Sequence, residues 1–285
     1  MDARLVWDTW RRILTDDQLV AWVLHAKDSG ASEPTGFSAG ELAILADYAS
    51  TPVPTDTNIG MYRQGLVRNA LAALSLVPLT RNLLYMGGLD VEAVAADFVQ
   101  STGYIDNGPN FWRIAGGFVG HLARLPEFAA RLQQDILALD LATIALARRL
   151  GESTPEVWPE SAAIIFSADS PRMDLESTRF VASRAAVVAS SSHDLTAWLE
   201  NPEDFDVDEK LDPSTRHWLI YFPAADAEHA YAELSERSAR VFNLLSAPKT
   251  AVEVSVVLDD LSEAEAILVI NSLTQLGVVV GEGDA

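Results

Sequence analysis

The chain holds five histidines, His25, His121, His193, His217 and His229, and no cysteine. Two of the histidines have neighbours that chemistry uses. His229 lies between Asp226 and Glu233. On a helix these three side chains would share one face, an arrangement that can ligate a metal. Metal sites ordinarily need at least three converging ligands, and the plainer reading of the trio is a polar surface cluster. His193 and Asp194 directly follow Ser190, Ser191 and Ser192. Ser, His and Asp are the parts of a hydrolase triad, but a triad is a geometry and not an adjacency. The plainer reading here is a polar strand-to-turn segment with Asp194 as a helix cap. No glycine-rich dinucleotide turn, P-loop or GxSxG elbow occurs. Without cysteine there is no disulfide, thiolate nucleophile, Cys-ligated zinc or iron–sulfur cluster. The expected catalytic residues are therefore none, the expected metal ligands are none, and a binding or scaffold role is what remains.

Charge narrows that role. Of 285 residues, 49% are apolar and 21% charged, an ordinary globular composition, but 20 basic residues face 41 acidic ones for a net charge of -21. Such a surface is unsuited to nucleic acid and to anionic membranes. Residues 1–150 carry 12 basic and 16 acidic residues, whereas residues 151–285 carry 8 and 25, so the second half holds most of the excess. Its densest stretch, Glu200 to Asp212, has seven acids and one lysine. Such a run reads as a solvated loop, or else as a docking patch for a basic peptide. The N-terminus, interrupted by acids and by Trp7 and Trp10, does not read as a signal peptide. No apolar run reaches membrane-spanning length, and a cytoplasmic location is expected.

The elements that must position any site differ between the halves. The first half reads as a bundle of six or seven helices. Thr15 with Gln18 and Ser38 with Glu41 fit capping boxes, and TPVPTDTN (51–58) reads as a loop because of Pro52 and Pro54. A long helix is expected from about Ile59 to Leu76, ended or kinked by Pro78. The last helix has Pro126 in its first turn. Its continuous face comprises Phe128, Leu132, Ile136, Leu139, Thr143, Leu146 and Leu150, and it stops at Gly151.

The second half is mixed. SAAIIFSA (161–168) and TRFVASRAAVVASS (178–191) read as strands, and RHWLIYF (216–222) as a strand buried on both faces. AEHAYAELS (227–235) is ambiguous between strand and helix. From Ser235 the order becomes helix, helix, helix, strand, with Ser235 as a cap and with capping boxes at Thr250/Glu253 and Ser262/Glu265. That order is winged-helix-like, yet its second and third helices contain no Lys or Arg, which a DNA reader needs. The fold class expected is α+β, with an N-terminal all-α helical bundle (1–151) followed by a small α+β winged-helix-like domain (152–285).

The order of these features resembles a known family. MYRQGLVRNALAALSLVPLTRNLL (61–84), VAADFV (94–99), WRIAGGFVGHL (112–122) and the LPEFAARLQQDILALDLA helix (125–142) are similar to the partner proteins of multinuclear non-heme iron peptide-modifying enzymes. These are the bufferin-maturase chaperone type, once described as DNA-binding, and relatives of the methanobactin partner subunit. The similarity continues in TRFVASRAAVV, HWLIYF, LSERSARVFNLLSAPKTAVEV (234–254) and the closing LGVVV (276–280), so that it spans about residues 59 to 281. The acid-rich insertion and the extreme charge depart from the family pattern.

The resemblance implies a cytoplasmic, non-catalytic subunit, heterodimeric with a TIM-barrel iron enzyme. It would present the leader of a ribosomally made precursor peptide to that enzyme. The iron would lie on the partner, with no cofactor in this chain. The leader would add a strand beside TRFVASRAAVV or HWLIYF, contacting Phe180, Ala182, Arg184, Trp218, Ile220 and Tyr221. Two other readings stand beside it. One is a winged-helix transcriptional regulator; the other is a hydrolase or metalloenzyme built on His193 or His229.

Overall fold

Several helix starts in this chain are set by side chains that accept the orphan amides of the first turn. In the computed structural model, which describes residues 2–29, 32–105, 107–108, 110–151, 177–201, 206, 211, 213–223 and 228–281, Asp2 caps α1 (Ala3–Thr15) by accepting from the Arg4 amide. The expected Thr15 box does not form. Asp16 instead accepts from the amides of Gln18 and Leu19 and opens α2 (Asp17–Ser29), while the Thr15 hydroxyl bonds back to the Arg11 and Arg12 carbonyls. A carboxylate is the stronger acceptor, and a threonine ending one helix cannot also cap the next. The Ser38/Glu41 box is formed and opens α3 (Ala39–Ser50).

The prolines of TPVPTDTN do not hold that stretch out of a helix. α4 (Pro52–Ala73) begins at Pro52, because first-turn amides have no intrahelical acceptor and proline there loses nothing. α6 (Val91–Ser101) and α7 (Phe111–Leu122) follow further along the chain.

By density of contacts the chain forms two compact units, one of residues 1–76 with 88–118, the other of 77–87 with 119–285. In the first unit, Trp10, Ile13, Leu14, Leu19, Val23, Leu45 and Ile59 close a core. The Trp10 ring lies 5.1 Å from that of Tyr48 and 6.4 Å from that of Tyr62. Phe98 stacks on Phe118 at 5.1 Å, and Gly117 makes the approach possible, since a Cβ there would sit 3.2 Å from the Phe98 ring.

The second unit groups α5 (Pro78–Met86) and α8 (Arg131–Gly151) with the strands of the described residues. Pro126 belongs to a separate 3-10 turn, Pro126–Phe128, and not to the first turn of α8. Ile136, Leu139, Thr143, Leu146 and Leu150 form the buried face the spacing predicts. The expected domain boundary at 151/152 and the expected strand 161–168 lead into residues outside those described.

β1 (Phe180–Ala182) pairs antiparallel with β5 (Val279–Gly281). β2 (Ala186–His193), β3 (Pro213–Tyr221) and β4 (Ala230–Leu234) form an antiparallel sheet in that order. The ambiguous segment 227–235 thus contributes a strand. α9 (Thr196–Glu200) follows β2, and α10 (Glu236–Leu244), α11 (Ala251–Val257) and α12 (Glu263–Gln275) follow β4.

Alternation assigns the faces of the sheet. Ala186, Leu219 and Leu234, with Val188, Tyr221 and Ala232, pack into one core with Phe242, Val254, Ala266, Ile270 and Val279. Trp218, Ile220 and Tyr231 point to the opposite face. The architecture is α+β. Among the described residues no helix is long and apolar enough to cross a membrane.

Ser235 caps α10, and the Thr250/Glu253 and Ser262/Glu265 boxes open α11 and α12. Ser262→Ala removes one acceptor and the partner of Glu265. A loss of about 1 kcal/mol is expected in denaturant titrations followed on the second unit.

Candidate site at the edge of the three-stranded sheet

Whether a strand can be added to a sheet depends on which edges are free. β3 is a middle strand, with β2 on one side and β4 on the other. Addition beside HWLIYF is therefore closed, which corrects the sequence expectation. β1 is closed as well. Beyond its pairing with β5, Phe180 exchanges both backbone bonds with Lys249, and the Ala182 amide donates to the Leu245 carbonyl. All three residues of β5 are buried.

The two ends of the outer edge of β2 are occupied by side chains of α8. The Phe222 amide donates to the Ala185 carbonyl, so by alternation Ala186, Val188, Ser190 and Ser192 turn their backbone groups away from β3. Arg149 Nη2 donates to the Ala186 carbonyl at 2.9 Å and to the Arg184 carbonyl at 2.6 Å. At the other end Asp135 Oδ2 accepts from the Ser192 amide at 2.8 Å. A guanidinium on the carbonyl and a carboxylate on the amide are an effective block to edge pairing.

β4 differs. Its pairing with β3 (His217↔Leu234, Leu219↔Ala232, Tyr221↔Ala230) directs the amides and carbonyls of Tyr231 and Glu233 outward, and among the described residues no strand pairs with them. Beside this edge, on the face of Trp218 and Tyr231, lies a cavity of about 360 Å³ between β4 and α9. It is lined by Thr196, Leu199, Glu200, Trp218, His229, Tyr231 and Glu233, with Ala230.

Each wall is fixed by a contact. Trp218, 2% exposed, donates its indole N–H to Ser191 Oγ at 2.8 Å. The His229 ring stands edge-on to Tyr231 at 5.2 Å, and burial pushes its pKa down. The Tyr231 hydroxyl meets Thr143 Oγ1 at 3.2 Å, and burial holds its pKa above the usual phenol value. Glu233 Oε1 accepts from Arg216 at 2.8 Å, and Arg216 also reaches Asp194 at 2.9 Å. The Thr196 hydroxyl and amide, together with Arg216, hold the Asp194 carboxyl below its ordinary value.

Behind Tyr231 lies a fully buried acid. Asp140 Oδ2 accepts from the Thr80 amide in the first turn of α5 at 2.6 Å, while Oδ1 has no hydrogen-bond partner. Burial pushes its pKa up to about 7, against the pull of its contacts with Thr80.

The residues expected to line a peptide site do not all reach one. Trp218 lines the cavity, and Ile220, on the same face, is fully buried, as is Phe180 in the opposite core. Ala182 is half-buried in a closed strand. Tyr221 packs against the α10–α12 core, and Arg184 is exposed at the turn before β2.

The two chemical candidates resolve differently. His193 Nδ1 meets Asp135 Oδ2 at 2.8 Å, and Ser192 Oγ donates to that same oxygen at 2.7 Å. Serine and histidine thus share the carboxylate, whereas a nucleophile would have to meet the other ring nitrogen. Asp194 is engaged with Thr196 and Arg216 and not with His193. His229 and Glu233 do reach one cavity, brought there by the two-residue period of a strand and not by a helix turn; Asp226 lies outside the described residues. Among the described residues no group of three or more His, Asp or Glu is placed to hold a metal ion.

Sequence reasoning placed Glu233 in a candidate metal trio and not on a strand edge, and it missed Tyr231 and the α9 wall. AYAEL does alternate small or apolar residues with Tyr231 and Glu233, the signal of a strand with one face against a core. No protein-family model matches this chain, and no curated protein matches it in sequence.

Proposed function

We propose that this protein is a non-catalytic partner subunit that captures a ribosomally made precursor peptide by strand addition at β4. It would present that peptide to a multinuclear iron enzyme of TIM-barrel fold. The observation that carries the reading is the contrast between edges: β1, β2 and β3 are closed, while β4 turns the backbone groups of Tyr231 and Glu233 outward beside a lined cavity. Main-chain bonds supply sequence-tolerant affinity and the cavity supplies selectivity. The enzyme gains effective concentration and orientation of the peptide core. Iron and the oxidative chemistry belong to the partner.

The order α10, α11, α12, β5 supports a winged-helix-like reading of the C-terminal elements, with β1 lying between Lys249 and β5. A DNA-binding regulator is the less favoured use of it. α12 presents Leu268 to solvent, as does its C-cap Leu276, and it carries no Lys or Arg for phosphates.

Purification of the tagged chain from its native cells tests the assignment. A second polypeptide that carries iron should co-elute, while the separated chain holds none. Iron on this chain alone, or nanomolar affinity for duplex DNA at physiological salt, would overturn it.

A further inference from the structure

We propose that the cavity between β4 and α9 receives a lysine or arginine side chain of the strand that docks on β4, so that the protein selects a basic residue at one fixed position of its peptide. This deepens the peptide-binding reading and rests on it.

Position comes first. A strand paired to β4 sends alternate side chains to the face shared by Tyr231 and Glu233, and the cavity opens on that face. Its volume of about 360 Å³ suits one long side chain and not a folded element. Leu199 and the rings of Trp218, Tyr231 and His229 offer an apolar channel for a methylene stem.

Charge decides between guests. Glu200 and Glu233 line the cavity and Asp194 stands behind it, against Arg216 as the cation bonded to both Glu233 and Asp194. Burial lowers the His229 pKa and so disfavours its charged form. The balance is negative, and the sequence running on from Glu200 to Asp212 has the same sign. An acidic guest would meet repulsion and an apolar guest would leave the excess negative charge beside Arg216 unbalanced, whereas a lysine ammonium or arginine guanidinium offsets it.

The test uses the full chain and a displayed library of random nine-residue peptides. Selected peptides should carry Lys or Arg at one recurring position. Replacing that residue with norleucine should weaken binding about tenfold or more at low salt, an effect that shrinks as salt rises. The Glu200→Gln/Glu233→Gln double variant should lose the preference for the cation, so that it binds the selected peptide and its norleucine version about equally. Selection of peptides without a recurring cation, or a double variant that still discriminates, would overturn the cation pocket and leave strand capture standing. Failure to select any peptide would overturn both.

Discussion

Replacing Glu233 with proline should weaken peptide capture on the order of a hundredfold and leave the molecule folded. In the β3/β4 ladder the amide of Glu233 faces outward, so proline removes a donor that only an incoming strand uses and places its ring on that edge. Loss of a main-chain bond costs about 1 kcal/mol, and the clash of the ring with an incoming carbonyl adds more. A fall in affinity on the order of a hundredfold is expected. The cost to folding is small, because the Glu233–Arg216 pair is substantially exposed (42% and 35%) and such pairs contribute under about 1 kcal/mol. Two controls frame the result. Glu233→Gln keeps the amide and should retain strand capture with a weakened preference for a cation. Ala232→Pro removes an amide that faces β3 and should unfold the sheet. Titrations of the selected peptides, with circular dichroism on each variant, check all three; unchanged binding by Glu233→Pro would remove β4 from the account.

Asp140→Asn should stabilise the protein in alkaline solution and change its pH profile. Burial raises the Asp140 pKa from 3.8 to about 7, so the folded state holds a proton that the unfolded state releases near pH 4. Stability contributed by the neutral acid is fully present below pH 4. It declines as pH rises and is lost once pH passes about 7. The difference between 3.8 and about 7 corresponds to on the order of 4 kcal/mol. Asparagine keeps an acceptor for the Thr80 amide and stays neutral at every pH, though its buried NH2 lacks a ready acceptor, which costs about 1–3 kcal/mol. A net gain of about 2 kcal/mol at pH 8 is therefore expected, with a loss at pH 4 that mirrors the amide cost. Denaturant midpoints from pH 4 to 8 read the effect: the two profiles should cross, and parallel profiles would show that Asp140 is charged in the fold throughout.

Much of the fold was legible because it depends on local rules. The Ser38, Thr250 and Ser262 boxes open the helices their spacing predicts, and the apolar stripe from Ile136 to Leu150 is the buried face of α8. The continuous apolar run at Trp218, Leu219 and Ile220 marks a strand covered on both faces. Local rules were misapplied at Pro52, which is compatible with a first turn, and at Thr15, where a neighbouring aspartate is the better cap. Other features required tertiary placement. Asp135 and Asp140 look like polar interruptions on α8, yet one guards the end of β2 and the other caps α5 from a distance. The site itself was only half legible. Trp218 was identified from its strand, but which edge is free depends on Arg149 and Asp135 reaching across from α8, and no spacing in the sequence encodes that.

Hydrogen–deuterium exchange with a selected peptide bound tests the central claim most directly. In the free chain the outward amides of Tyr231 and Glu233 should exchange readily, and peptide should protect them strongly. The amides of β2 and β3 should change little, because their edges are already occupied. Protection appearing on β1, on α12 or in the first unit, with Tyr231 and Glu233 unaffected, would contradict strand addition at β4.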